Sequence, residues 1–214
     1  MLNQSDVSNI CRLLEEKYPE PKTMLNFKSA FELTIAVILS ARCTDRQVNI
    51  VTEKLFKKYS TPCDFASIDI EELKRLIYSC GFYKNKASNI ISASKTILTD
   101  YNGRVPCNLD DLKKLAGVGN KSANVIYSVY FGGDAIAVDT HVFRVSRRIG
   151  LSEGNNVLKV EKDLEAVLPK NEWKNMHHRL IYLGREICKK KPQCNECCLM
   201  DICKYANLLK DTAN

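Results

Sequence analysis

Residues 29–41 read SAFELTIAVILSA, and the stretch is apolar on every side of a helical wheel. A helix without a polar face must be enclosed, so this segment predicts a buried central helix around which the rest of the chain packs. At 214 residues the chain is long enough for one large domain or two small ones with a real core. Helical periodicity continues nearly everywhere else. Val7, Ile10, Cys11 and Leu14 give a first amphipathic helix closed by YPEP. Thr44 and Gln47 predict a capping box, and Asp69 and Glu72 a similar one. A helix over 87–101 is stopped at Gly103, and Asn108 opens a short one. Further helices are expected over 140–149, 157–167 and 173–188. No run alternates as a strand would. The fold class is therefore all-α, with its best internal break at FGGD, residues 131–134.

Hydrophobic residues make up 45% and charged residues 27%, an ordinary globular balance that excludes disordered and collagen-like classes. A formal charge of +7 draws the chain weakly toward polyanions such as nucleic acid, against the plainer reading of a solvated basic surface. The first ten residues lack the basic and apolar regions of a signal peptide. The longest apolar run, TIAVILSA, is too short to span a bilayer. The expected location is the cytoplasm, associated with the nucleoid if DNA is bound.

The stretch LAGVGNKSANVI, residues 115–126, sets two glycines around a valine at the mouth of a helix. Glycine permits backbone angles that residues with a Cβ avoid. A tight helix–turn–helix over Gly117, Val118 and Gly119 would leave free N–H groups at the second helix's start, suited to a phosphate. A plain glycine-capped connection is the alternative. Lys121 stands in the first helical turn, where the helix dipole opposes an ammonium. That placement is poor for structure but favours neutral amine, which can attack a carbon centre. A lysine that merely touches phosphate is the competing reading. Asp139, in GGDAIAVDTHVFRV, either caps the following helix or supplies the carboxylate of an acid–base pair.

Of ten cysteines, five lie in the last 27 residues. Cys188, Cys194, Cys197 and Cys203 give C-x5-C-x2-C-x5-C, a spacing that suits a [4Fe–4S] cluster or zinc and does not decide between them. Lys189, Lys190 and Lys191 fill the first gap, where a metal centre would stiffen them against phosphates. His141, His177 and His178 stand at no metal-ligand spacing and are read as packing or hydrogen-bonding residues.

Taken together, LAGVGNKSANVIYSVYFGGDAIAVDTHVFRV, FELTIAVILSARCTD, GFYKNKASNI, HHRLIYLGREIC and the cysteine-rich end resemble the endonuclease III family of DNA glycosylases. The resemblance extends along nearly the whole chain. It implies a bifunctional DNA glycosylase and apurinic/apyrimidinic lyase of base excision repair. Such an enzyme flips an oxidised pyrimidine out of duplex DNA. Lys121 would attack C1′, expel the base and, as a Schiff base, permit β-elimination. Asp139 would assist its deprotonation and stabilise positive charge on the sugar.

The resemblance also selects [4Fe–4S] over zinc, although the family's usual first gap is one residue longer and Cys198 adjoins Cys197. It assigns filling of the vacated stack to Arg42 and Phe82, where the family more often has glutamine and an aliphatic residue. It implies two lobes, with residues 1–20 joining the iron–sulfur lobe of 134–214 and residues 21–133 forming the helix–hairpin–helix lobe. DNA would lie in the groove where Lys121 and Asp139 face each other. Double-stranded DNA with a damaged pyrimidine or abasic site is the expected partner, and a monomer the expected state. The adenine-mismatch branch of the superfamily lacks this lysine. A zinc-bound binding module and a monofunctional glycosylase are the rival readings.

Overall fold

The computed structural model describes residues 2–212, and among them the chain is all-helical with no strand. Its helices are α1 Gln4–Lys17, α2 Ala30–Ser40, α3 Asp45–Lys58, α4 Pro62–Ser67, α5 Ile70–Leu76 and α6 Tyr83–Asp100. They continue as α7 Leu109–Leu112, α8 Asn120–Tyr130, α9 Thr140–Ile149, α10 Val157–Val167, α11 Trp173–Glu186 and α12 Lys204–Thr212.

The chain divides into two compact units. One is continuous, Met24–Gly133, and the other is built from the chain on either side of it. In the continuous unit α2 is the axis, packed by α3, α6 and α8. Every residue from Phe31 to Leu39 is buried. Its two polar members are satisfied locally. Glu32 accepts from the Lys28 amide at 2.6 Å, and the Thr34 hydroxyl donates to the Ala30 carbonyl at 2.8 Å.

In the other unit α9 packs on α11 at close range, α1 joins the same core against α11, and α12 lies against α9. Gly184 of α11 permits the approach, since a Cβ there would come within 3.0 Å of His141 and Val145. Arg179 is 1% exposed yet fully paired, donating to Glu172 at 2.7 Å, Glu15 at 3.1 Å and the Tyr18 carbonyl at 3.3 Å. A buried guanidinium without such partners would be strongly destabilising.

The two expected capping boxes are half made. Thr44 and Asp69 do cap, accepting from the amides of Gln47 and Glu72. The reciprocal side chains go elsewhere: Gln47 donates to Ser79 at 2.8 Å, and the Glu72 carboxylate takes Lys58 at 2.5 Å and Tyr59 at 2.8 Å. Tertiary partners outbid the local bond. A complete box forms instead at Thr61 and Asp64 of α4. Helix α6 starts at Tyr83 rather than Ala87, and α11 ends at Glu186 rather than Cys188.

Candidate functional site

The turn between α7 and α8 is held by the Val118 amide donating to the Leu115 carbonyl at 3.0 Å. Gly117 has φ +81°, and a Cβ there would meet Asn89 of α6 at 3.0 Å. Both facts require glycine. Val118 is 4% exposed, so its side chain anchors the turn in the core and only its backbone can face a ligand. Gly119 is the N-cap of α8 and supplies no side chain to satisfy the first amides. The first turn carries no acidic residue. Amides left without side-chain caps at the positive end of an eleven-residue helix suit an anion. Lys121 lies in that turn, exposed, and among the described residues it has no ion-pair or hydrogen-bond partner.

Arg42 and Phe82 come together in the same unit. The guanidinium carbon lies 5.1 Å from the centre of the Phe82 ring, a cation–π contact. Phe82 is 60% exposed, unusual for its type. Both residues hold left-handed backbone angles, φ +54° and +49°, which carry strain for side chains of this size.

In the second unit, the buried run Ala135–Val138 delivers Asp139 to the start of α9. Asp139 Oδ1 accepts from the amides of His141 and Val142, both at 2.8 Å, while among the described residues Oδ2 takes no bond. The cap is therefore real, and one carboxylate oxygen remains available. A buried contact of 2.7 Å between His177 Nδ1 and the Ala137 carbonyl fixes the run two residues ahead. His178 beside it is buried, and its pKa is pushed down to about 3 by desolvation first and by His177 second. His141 contacts Arg144 at 3.2 Å. All three histidines thus pack or hydrogen-bond.

Cys188, Cys194, Cys197 and Cys203 line one cavity between the ends of α9, α11 and α12, together with Leu183 and Met200. Cys198 does not line it and instead hydrogen-bonds with Cys197. Burial raises the Cys194 and Cys203 thiols, and the bond to Cys198, then burial, raises Cys197. Among the described residues no three His, Cys, Asp or Glu side chains are placed to grip a single metal ion.

Sequence reasoning missed two arginines of α9 that organise this loop. Arg148 donates to the carbonyls of Lys189 at 2.5 Å and Lys190 at 3.0 Å and approaches Cys188 Sγ at 3.6 Å. Arg144 donates to the carbonyls of Cys188 at 3.1 Å and Gly184 at 2.9 Å. Their four-residue spacing puts both on one helix face, a signal the sequence does contain. With its carbonyls tied down, the loop leaves Lys189, Lys190 and Lys191 exposed.

A family model described as HhH-GPD superfamily base excision DNA repair protein matches residues 35–170. The chain is 48% identical to the endonuclease III of Bacillus subtilis (strain 168), covering 95% of this chain and 94% of that one. It is 42% identical to the endonuclease III of Escherichia coli (strain K12), covering 95% and 97%. A solved structure of a trapped endonuclease III–DNA covalent intermediate superposes with a TM-score of 0.92 at 45% identity, covering 98% of this chain and 100% of that one. A thermostable thymine-DNA glycosylase, at 22% identity, shares the fold with a TM-score of 0.86 over 95% and 98%. A glycine turn, an unpartnered lysine behind it and near-complete overlap with these relatives place the chain in the endonuclease III family of the HhH-GPD superfamily.

Proposed function

We propose that this chain is a bifunctional DNA N-glycosylase and apurinic/apyrimidinic lyase that removes oxidised pyrimidines through Lys121. The family supplies the activity. One observation carries the residue assignment: Lys121 stands unpartnered at the positive end of α8, just behind a turn that only glycine can make. Many other lysines here, such as Lys58, Lys114 and Lys159, are ion-paired.

Neutral Lys121 Nζ attacks C1′ of the flipped nucleotide as the glycosidic bond breaks, and the base leaves with its electron pair and collects a proton. Asp139 accepts the amine proton and stabilises positive charge on the sugar. The free Oδ2 supports this, because the cap occupies only Oδ1. The nitrogen lone pair of the resulting aminal then breaks the C1′–O4′ bond, O4′ takes up a proton as the sugar opens, and the iminium forms; loss of a C2′ proton from it expels the 3′ phosphate, and water releases the lysine. The amides of Gly117, Val118 and Gly119 hold the backbone phosphate. Arg42 and Phe82 fill the vacated stack, where an aromatic wedge suits the gap and Arg42 offers only donors to the opposite base.

Cys188, Cys194, Cys197 and Cys203 would hold a [4Fe–4S] cluster. The fit rests on the donor set: four thiols line one cavity. Bound, the cluster supplies a coordinatively filled anchor for the loop. Lys189, Lys190 and Lys191 are then presented to phosphates. The partner is duplex DNA with an oxidised pyrimidine or abasic site, bound by a monomer in the cytoplasm at the nucleoid. No helix of the described residues is long and apolar enough to cross a membrane.

Borohydride trapping on a duplex with one thymine glycol tests the proposal. A covalent protein–DNA adduct is expected, and its loss in Lys121→Ala places the lysine at its centre. A folded wild type that releases base without an adduct would establish a monofunctional enzyme instead.

A further inference from the structure

We propose that Cys43 and Cys80 form a thiol–disulfide modification site that reacts with small-molecule disulfides and, once closed, locks the Arg42–Phe82 tip. The two cysteines lie outside the cysteine-rich end and flank the two left-handed residues. Cys43 follows Arg42, and Cys80 precedes Gly81 and Phe82. The two backbone segments abut, since a Cβ on Gly81 would lie 3.8 Å from the Arg42 carbonyl oxygen. Gln47 reaches across to Ser79 at 2.8 Å beside them. The Cys43 sulfur is near enough to shift the ionisation of the Cys80 thiol, and neither cysteine is in a disulfide.

Their surroundings set the order in which they react. Lys86 is 4% exposed, and its ammonium donates to the carbonyls of Leu39 and Cys80. Among the described residues no carboxylate pairs with it. The two sulfurs are the ionisable groups that feel this charge. Thiolate is the reactive form of cysteine. Cys43 is half-buried and open to a reagent, whereas Cys80 is fully buried. Burial first, and the Cys43 sulfur second, push the Cys80 thiol up to about 12, so Cys80 is the second to react.

Both steps are exchanges. The Cys43 thiolate attacks one sulfur of a low-molecular-weight disulfide and expels one thiolate, leaving a mixed disulfide. Cys80 loses its proton to that departing thiolate, attacks the Cys43 sulfur and expels the second thiol. Two protein thiols are oxidised, and one small disulfide is reduced to two thiols. A reversible bond of this kind is the form disulfides take inside most cells. The closed bond would fasten the segment before α3 to the segment before α6, fixing the tip that must enter the duplex. That last effect rests on the gap-filling role given to Arg42 and Phe82 above; formation of the bond does not.

The test treats the purified full chain with oxidised glutathione, alkylates the remaining thiols and maps peptides by mass spectrometry. Expected is a peptide joining Cys43 to Cys80, abolished by dithiothreitol and absent from Cys43→Ser and from Cys80→Ala. Wild type should lose thymine glycol cleavage with its visible absorbance unchanged, and regain it on reduction. Both variants should keep their cleavage through the same treatment. Recovery of both cysteines alkylated, or only as glutathione adducts, while exposed Cys63 and Cys107 are modified, would overturn the site. A bond that forms and leaves cleavage intact would keep the site and overturn the lock.

Discussion

The carboxylate of Asp139 holds two amides of α9 through a single oxygen, at 2.8 Å each. Asparagine can accept the same bonds and caps about as well, but it carries no charge. Asp139→Asn should therefore melt within about 0.5 kcal/mol of wild type while single-turnover lesion cleavage falls about 10²–10⁴-fold. Asp139→Ala should lose the same activity and a further 0.5–2 kcal/mol or so of stability. A cap-only role predicts the opposite pattern, with asparagine fully active. Phe82→Ala makes a parallel separation. The ring is 60% exposed, so stability should move by about 0.5 kcal/mol or less, while lesion cleavage drops much more steeply. Proportionate losses of both would refute the wedge. At this scale the residue types were legible and their postures were not. Sequence marks Gly117, Lys121 and Asp139 because each is locally costly or locally useful. It cannot mark Arg42 stacked on Phe82, because the two are 40 residues apart and their contact depends on how two turns meet.

At the level of elements, α11 buries two adjacent histidines, and His178 titrates there at about 3. An unfolded histidine binds its proton near 6.5. Between those values the unfolded chain holds a proton that the folded chain excludes. The stability from a neutral His178 is therefore full above about pH 6.5 and is lost as pH falls toward 3. Thermal melts should show stability rising with pH across that window, by up to about 1.4 kcal/mol per unit. His178→Leu should flatten the slope; an unchanged slope would assign the acid limb elsewhere. The helices themselves were largely legible, since apolar spacing and caps fixed α9 and α10. Reciprocal caps were not, because Gln47 and Glu72 had better distant partners than their own helix starts. Short α4 escaped periodicity altogether: six residues give too few repeats to show one. The arginine pair of α9 was visible as a face but not as a clamp, for its acceptors are carbonyls 40 to 44 residues onward.

At the scale of the whole molecule, the cysteine-lined cavity makes a sharp distinction between neighbours. Cys197 lines it and Cys198 does not. Cys198→Ser should be purified with full iron and sulfide content, and Cys197→Ser with iron lost and the melting temperature lowered. Metal analysis beside a thermal scan decides it, and iron retained in Cys197→Ser would show that Cys198 can substitute. Spacing already favoured Cys197 over Cys198 among the candidate ligands, but which thiol turns into the cavity is a property of the fold.

The interrupted unit also imposes an order on biogenesis. Arg179 is made 164 residues after the Glu15 it pairs with. At synthesis rates of roughly 5–20 residues per second, α1 waits some ten to thirty seconds for its partner. Throughout that interval the apolar stripe of Val7, Ile10 and Leu14 has no finished core to enter, and the whole of Met24–Gly133 is made before the interval ends. Docking of α1 is therefore a late event in the folding of its unit.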